Sequence, residues 1–288
     1  MKNSLFLSAL FTIVFVPVFA QDDNEFHLDK SYTVSKTGTI KLSTDDADVF
    51  IEGSDRNDIH VKIDRVIESR GIHWGNKEFD ISVELIDGDI IIRDREWGNR
   101  SMVGYIREEY TIHIEAPASM LLDIKGDDGD YEIAFMAGDV RIVADDGNIF
   151  LNHCTGSSTY FDLDDGDVVM EGGRGKLSVN MDDGDIEISN ASFSSINMDI
   201  DDGDVELHTS LDDNGEYIFH IEDGRLMLSI INGGGEFDIR HDDGNIRYDS
   251  SFKLIDEDDD FAILILPGGN ASIKVRGDDT SVSLRTDD

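Results

Sequence analysis

The chain has 288 residues, of which 63 are acidic and 24 are basic, so its formal net charge is −39. That charge repels nucleic acid and anionic membrane surfaces and attracts cations, which excludes nucleic-acid binding as a function. A hydrophobic fraction of 39%, placed with regular spacing, predicts a folded core and not a disordered acidic chain.

The first twenty residues, MKNSLFLSALFTIVFVPVFA, have the layout of a secretory signal peptide. Lys2 precedes an apolar stretch, and small Ala20 lies directly before Gln21. A membrane anchor is the alternative, but the apolar stretch is short for a span. We therefore expect cleavage between Ala20 and Gln21 and a mature chain, 21–288, with no transmembrane segment. It would be exported to the periplasm, the outer cell surface or the medium.

A short acidic turn around one glycine, of the type Asp-Asp-Gly-Asp flanked by alternating apolar residues, recurs along the chain, and the segment 26–125 contains weaker copies of it interrupted by insertions. Alternating apolar residues flank Gly88 on both sides, and in an earlier copy Ala47 occupies the position of the glycine. Two stretches lack the pattern: ESRGIHWGNKE at 68–78 and REWGNRSMVGYIREEY at 95–110. Insertions on one face of a repeat protein often bind ligands, although two ordinary long loops are the alternative. The residues predicted for a binding face are Trp74, Trp97, Arg95 and Arg100.

From about 126 to 288 the acidic turn recurs regularly, as in MDIDDGDVELH at 198–208. Apolar residues fall at positions −7, −5, −3, +2 and +4 from each turn glycine, so each repeat contains two half-buried strands. Asp259 and Thr280 take the glycine slot in weaker copies near the C-terminus. The predicted turn glycines are Gly88 and, at spacings of 18–21 residues, Gly129, Gly147, Gly166, Gly184, Gly203, Gly224 and Gly244.

Two all-β architectures fit this repeat. In a β-solenoid each repeat is one coil of about 18–21 residues, and equivalent strands stack in parallel. In an antiparallel β-meander each Asp-Gly is a two-residue hairpin turn. The near-constant repeat length favours the solenoid, so we predict a single-domain, all-β solenoid over 21–288, with the meander as the alternative. Its interior would contain one apolar column of Ile149, Val168, Ile186, Val205 and Leu226.

Four elements follow one another along the chain: DDADVFIEG at 45–53, NDIHVKI at 57–63, EYTIHIEAPASMLLDIKGDDGD at 109–130, and then repeats ending in Gly-Asp/Asn-Ile/Val. This order resembles a bacterial family of exported adhesin-like proteins, the auto-transporter-adhesin head-like domain of unknown function. The resemblance covers roughly residues 26–286 and implies a β-helix-like fold more firmly than any activity. The chain departs from the family's usual serine-glycine turn by using Asp-Asp-Gly.

The aspartates of the turns have two interpretations. Asp side chains bond nearby backbone N–H groups in bends, so they can be solvated turn residues. Stacked coils would also place carboxylates about 4.8 Å apart, a repulsion that bound Ca²⁺ would relieve through hard oxygen ligands. The candidate Ca²⁺ ligands are Asp128, Asp130, Asp146, Asp165, Asp167, Asp183, Asp185, Asp202, Asp204 and Asp243.

Catalytic motifs do not emerge from the sequence. Because acidic residues recur in every repeat, no pair stands out as a general acid and base, and no nucleophile elbow, phosphate loop or His-Glu-x-x-His is present. We therefore expect no catalytic residues and a non-enzymatic exported protein that acts in surface adhesion, binding or scaffolding. The ligand would be an unidentified surface protein or glycan. A polysaccharide lyase or hydrolase on a β-helix is the alternative.

Overall fold

The computed structural model describes residues 25–287, and describes 72–78 and 96–102 by their backbone only. The regular structure of these residues is entirely β-strand and forms one continuous sheet. In chain order the strands are β1 (Glu25–Thr33), β2 (Thr39–Thr44), β3 (Asp48–Ser54), β4 (Asp58–Ile86), β5 (Asp89–Pro117), β6 (Leu121–Gly126), β7 (Tyr131–Ala134), β8 (Val140–Asp146), β9 (Ile149–Asn152), β10 (Ser158–Asp165), β11 (Val168–Glu171), β12 (Arg174–Asp183), β13 (Ile186–Ser210), β14 (Glu216–Asn232), β15 (Gly235–Asp243), β16 (Ile246–Tyr248), β17 (Lys253–Asp258), β18 (Phe261–Leu266) and β19 (Ala271–Thr286).

The repeats stack as the coils of a β-solenoid, as the near-constant repeat length predicted. β8, β10 and β12 pair in parallel, and so do β9, β11 and the start of β13. Alternate residues of each strand point into the coil, where they form one long apolar core. The predicted interior column is confirmed, since no side chain in it is more than 1% exposed: Ile149, Val168, Ile186, Val205 and Leu226.

The turn glycines form a ladder along one edge of the stack, and the close approach of the coils requires them. Gly166 has a φ of +127°, and a Cβ there would lie 2.2 Å from the carbonyl oxygen of Gly147 in the neighbouring coil. Backbone atoms cannot move aside as the end of a side chain can, so any side chain at Gly166 would push the two coils apart. In stacking order the ladder consists of Ala47, Gly129, Gly147, Gly166, Gly184, Gly203, Gly224, Thr280 and Gly244.

Gly88 is a turn glycine, but it does not belong to this ladder. β4 and β5 are antiparallel and pair up to Ile86 and Asp89, so the turn between them closes a hairpin. Both central residues have positive φ, 53° at Asp87 and 93° at Gly88, as a type I′ turn requires. In the coil turns the aspartate before glycine keeps a negative φ, so the chain bends without reversing. The meander interpretation therefore holds at this turn and is wrong for the stacked repeats.

The C-terminal coils depart from chain order. The slot predicted for Asp259 is a hairpin turn, because β17 and β18 are antiparallel and pair from Asp258 with Phe261. β19 lies between β14 and β15 and pairs in parallel with both. Thr280 therefore lies between the turn glycines Gly224 and Gly244, although it follows both in sequence.

The two N-terminal insertions form one structure. The ends of β5 pair in parallel with β2 and β3 as a coil, while the rest of β5 leaves the stack with β4 as a two-stranded arm, defined here as residues 67–80 and 95–108. Trp74 pairs with Ser101 and Trp97 with Glu78, four positions apart along the arm. β1 covers the other edge of β4 in antiparallel pairing.

Candidate functional site

The aspartates immediately before the turn glycines line up along the edge of the stack that contains the glycine ladder, which is called the acidic edge below. Asp165 pairs in register with Asp146 on one side and Asp183 on the other, and Asp183 pairs with Asp202. Neighbouring strands lie about 4.8 Å apart, so these carboxylates repel one another at close range. Partial desolvation and the charges of Asp165 and Asp202 raise the pKa of Asp183 above its ordinary value. The edge is therefore a source of electrostatic strain in the folded state.

The side chains at position +1 have a different role. Asp130, Asn148, Asp167 and Asp185 each accept a hydrogen bond, at 2.9–3.1 Å, from the backbone N–H of the +1 residue in the next coil; the donors are Asn148, Asp167, Asp185 and Asp204 respectively. The series ends at Arg225, whose Nε donates to both carboxylate oxygens of Asp204 at 3.1 Å. This bond lowers the pKa of Asp204. Four candidate Ca²⁺ ligands, Asp130, Asp167, Asp185 and Asp204, thus hold neighbouring coils in register.

Metal binding along this edge stays a prediction. Among the side chains that the structure describes, which exclude those of 72–78 and 96–102, no three His, Cys, Asp or Glu residues converge as a metal site. The candidates before the glycines, including Asp128 and Asp243, lie in rows and not in clusters. An ion shared between two carboxylates of adjacent coils is the arrangement that remains to be tested.

Replacing Asp183 and Asp202 together with asparagine should raise the melting temperature at neutral pH in chelator, because it removes adjacent like charges. If neighbours share Ca²⁺, the wild type should gain more in melting temperature from Ca²⁺ than from Na⁺ at equal ionic strength, and the double variant should lose that difference. Equal shifts with the two salts would identify the aspartates as solvated turn residues. Glu171→Gln with Glu187→Gln, which removes two charges from an outward face, is the matched control.

The same variant should flatten the pH dependence of stability. A carboxyl whose folded pKa is raised binds its proton more tightly when folded, so stability increases as pH falls from neutral through that pKa. Asp204 has the opposite sign: its contribution is lost only as pH falls through its lowered pKa, below this window. We therefore expect mild acidification to change the melting temperature more favourably in the wild type than in the double variant, which lacks the Asp183 carboxyl.

A polar cluster anchors the arm to the stack. Asp94 lies on β5 directly before the second strand of the arm. Its Oδ2 accepts hydrogen bonds from Thr44 Oγ1 at 2.8 Å and from Tyr110 Oη at 3.0 Å. Burial raises the pKa of Asp94. Burial and the negative charge of Asp94 together raise the pKa of Tyr110. Because Asp94 and Tyr110 flank the arm's second strand, these bonds join both of its ends to β2.

An arginine packs against an aromatic ring beside this cluster. The Arg65 guanidinium lies 3.9 Å from the ring centre of Phe79, and its Nε donates to Glu108 Oε1 at 2.5 Å. Arg65 is only 5% exposed. A ring and a carboxylate together thus hold this arginine at the root of the arm.

The predicted binding residues are distributed along the arm. Arg95 is exposed near the root, whereas the side chains of Trp74, Trp97 and Arg100 lie outside the described residues. Backbone pairing brings the two insertions together, as their proposed common role needs. The signal-peptide residues Ala20 and Gln21 also lie outside the described range.

The structure has an exposed row that was not identified from the sequence, called the aromatic row here: His113, Phe50, Glu132 and Phe150. These residues lie on the outward face of the second strands of adjacent coils, where Phe50 pairs with His113 on one side and with Glu132 on the other, and Glu132 pairs with Phe150. Phe150 is 42% exposed. Phe50 and Phe150 both occupy position +3 of their repeats, so alignment of outward positions would have revealed them.

A known protein family matches most of the chain. A family model described as Toastrack DUF4097 matches residues 37–260. The chain belongs to this family. The match spans the arm and most of the stacked coils, so the Toastrack domain includes both the acidic edge and the aromatic row.

Solved structures share the Toastrack chain's fold at low sequence identity. A "putative adhesin" from Parabacteroides distasonis is 13% identical with a TM-score of 0.53, and one from Bacteroides fragilis is 11% identical with a TM-score of 0.51. Each alignment covers 90% of this chain and 97% of the other. No curated protein matches the chain.

Proposed function

We propose that this Toastrack protein is exported and acts without catalysis, as a binding or scaffolding protein in surface adhesion. The observation that supports this proposal is the uninterrupted stack of coils. It repeats the same outward positions along the face of the first strands, the face of the second strands and the acidic edge. Stacked repeats of this kind create extended surfaces suited to large or repetitive ligands. The adhesin names of the two similar structures agree with this role.

The arm supplies a second binding element. It leaves the stack as a two-stranded ribbon that is continuous with the coils at both ends, and it has exposed apolar side chains, with Val103 70% and Tyr105 56% exposed. Exposed apolar residues grouped on one projection are typical of an interaction surface. In the residues that the structure describes, no helix is long and apolar enough to cross a bilayer.

Replacing Trp74 and Trp97 together with alanine should leave the coils folded and reduce attachment severalfold. None of the described residues of the coil core lies within 67–78 or 95–108, whereas aromatic anchors commonly dominate binding energy. Cells that produce the full chain would be compared with cells producing the double variant, for attachment to host cells and to immobilised glycans. Surface protease treatment and cell fractionation would locate the chain.

Two results would contradict the proposal. One is a cytoplasmic location with an uncleaved leader, and the other is attachment that does not change when the whole chain is deleted. Release of reducing sugar ends from polysaccharides by the purified chain would favour the enzymatic alternative. Tyr160→Ala, on the outward face of the first strands, is a control that removes a ring without touching the arm.

A further inference from the structure

Glu132 lies between two phenylalanines on the outward face of the coils. Phe50, Glu132 and Phe150 are in register on three adjacent strands. Neighbouring strands lie about 4.8 Å apart. Glu132 and Phe150 are exposed, and Phe50 is partly exposed. Among the described residues no basic side chain forms an ion pair with Glu132. These three residues, called the slot below, place one carboxylate between two aromatic side chains on the outward face.

The orientation of Phe50 turns one ring face toward that carboxylate. Phe50 stacks on His113, its partner on β5, with ring centres 4.5 Å apart and an interplanar angle of 10°. Because the two residues are in-register neighbours, parallel stacking directs the ring normals along the axis of the solenoid. His113 covers one face of Phe50, and the other face looks toward the strand of Glu132.

A ring face beside a carboxylate is suited to a cation. The quadrupole of the ring attracts a cation over its face, and the carboxylate accepts its N–H donors. The chain uses this combination internally, where Phe79 and Glu108 hold Arg65. A planar guanidinium meets both requirements better than an ammonium, because it stacks and donates through a rigid fork.

We propose that Phe50, Glu132 and Phe150 form a docking site for an arginine side chain of a basic partner protein. The inference rests on the proposed binding function and specifies the chemistry of one of its ligands. The formal charge of −39 favours approach of a basic protein over an acidic one, and the slot then selects arginine at short range.

Binding of a short probe peptide, acetyl-(Gly-Arg)₃-amide, to the full mature chain tests the site. Affinity would be measured by calorimetry at low and physiological salt, beside lysine and citrulline versions of the peptide. Phe150→Leu keeps the charge and removes one ring, and it should weaken arginine-peptide binding roughly two- to fivefold. Glu132→Gln should weaken it at least as much, and the lysine peptide should bind more weakly than the arginine peptide.

Glu187→Gln is the matched control, because it removes the same charge from the same outward row without a neighbouring phenylalanine. It should change the affinity less than either slot variant. Equal effects of Glu187→Gln and Glu132→Gln, together with an unchanged affinity for Phe150→Leu, would overturn the site and leave only diffuse attraction. Citrulline peptide or a neutral chitin oligosaccharide binding as tightly as the arginine peptide would also overturn it.

The two proposals fail in different ways. Normal attachment of producing cells, combined with no preference for arginine over citrulline, would remove the docking site and leave the adhesion proposal intact. Arginine-dependent peptide binding that requires Phe150, without any attachment phenotype, would retain the site and remove the adhesion proposal.

Discussion

Alanine in place of Gly184 should destabilise the folded chain by more than about 3 kcal/mol, since backbone strain and a steric clash act together. The new Cβ would lie 2.2 Å from the carbonyl oxygen of Gly166, and the φ of Gly184 is +136°. Relief would require moving the backbone of one coil away from the next, which breaks parallel hydrogen bonds on both sides of the turn. Urea unfolding followed by far-ultraviolet circular dichroism would measure the loss.

Asp182→Ala is the control for this substitution. Asp182 is exposed, lies two residues before Gly184 and belongs to the same acidic turn, so this variant also changes the turn's composition. It removes one charge from a crowded row and should leave stability unchanged or slightly higher. Similar unfolding midpoints for the two alanine variants would show that the coils can separate at the turn without cost.

Aspartate in place of Val205 should destabilise the chain by several kcal/mol, about 3 or more. Val205 is 1% exposed and pairs with Leu226 in the interior column. A carboxylate there would be surrounded by apolar side chains with no cation to pair with it, so it would have to be protonated or disrupt the packing. The destabilisation should consequently be smaller at low pH, where the new carboxyl is neutral.

Val169→Asp provides the matched comparison for Val205→Asp. Val169 is the same residue type and also lies in a strand of the stack, but it faces outward and is 37% exposed. The same substitution there should change stability by well under half as much. A melting curve of Val205→Asp that superimposes on that of Val169→Asp would contradict the inward orientation of the column.

The period-2 alternation around the acidic turn was sufficient to predict which side chains enter the core. In a strand, inward and outward positions are decided by parity, and burial of one parity is strongly favourable. Ile149 and Val205 therefore follow from their offsets to Gly147 and Gly203 alone. The constant spacing of the glycines likewise predicted parallel coils, because stacking in register needs repeats of equal length.

The partner of each strand was decided by tertiary structure where the repeat is irregular. Asp87-Gly88 and the aspartates before Gly147 look alike in sequence, yet the first turn reverses the chain and the second bends it. The difference depends on whether the following segment gains more from pairing with the preceding strand or with a neighbouring coil. In the same way, β19 enters between β14 and β15, a choice made by contacts between segments distant in the chain.

The candidate sites also have some features that the sequence predicts and others that depend on tertiary structure. The sequence by itself determined a row of acidic turns, since stacking follows from the repeat, and it located the insertions that contain Trp74 and Trp97. Only the tertiary structure joined the insertions into one arm and separated the register-holding aspartates, such as Asp167, from the repelling ones, such as Asp183. It also brought Glu132 between Phe50 and Phe150, which are 100 residues apart in the chain. Parity and glycine geometry are local properties that a sequence displays, whereas neighbours across coils depend on the order in which distant strands pair.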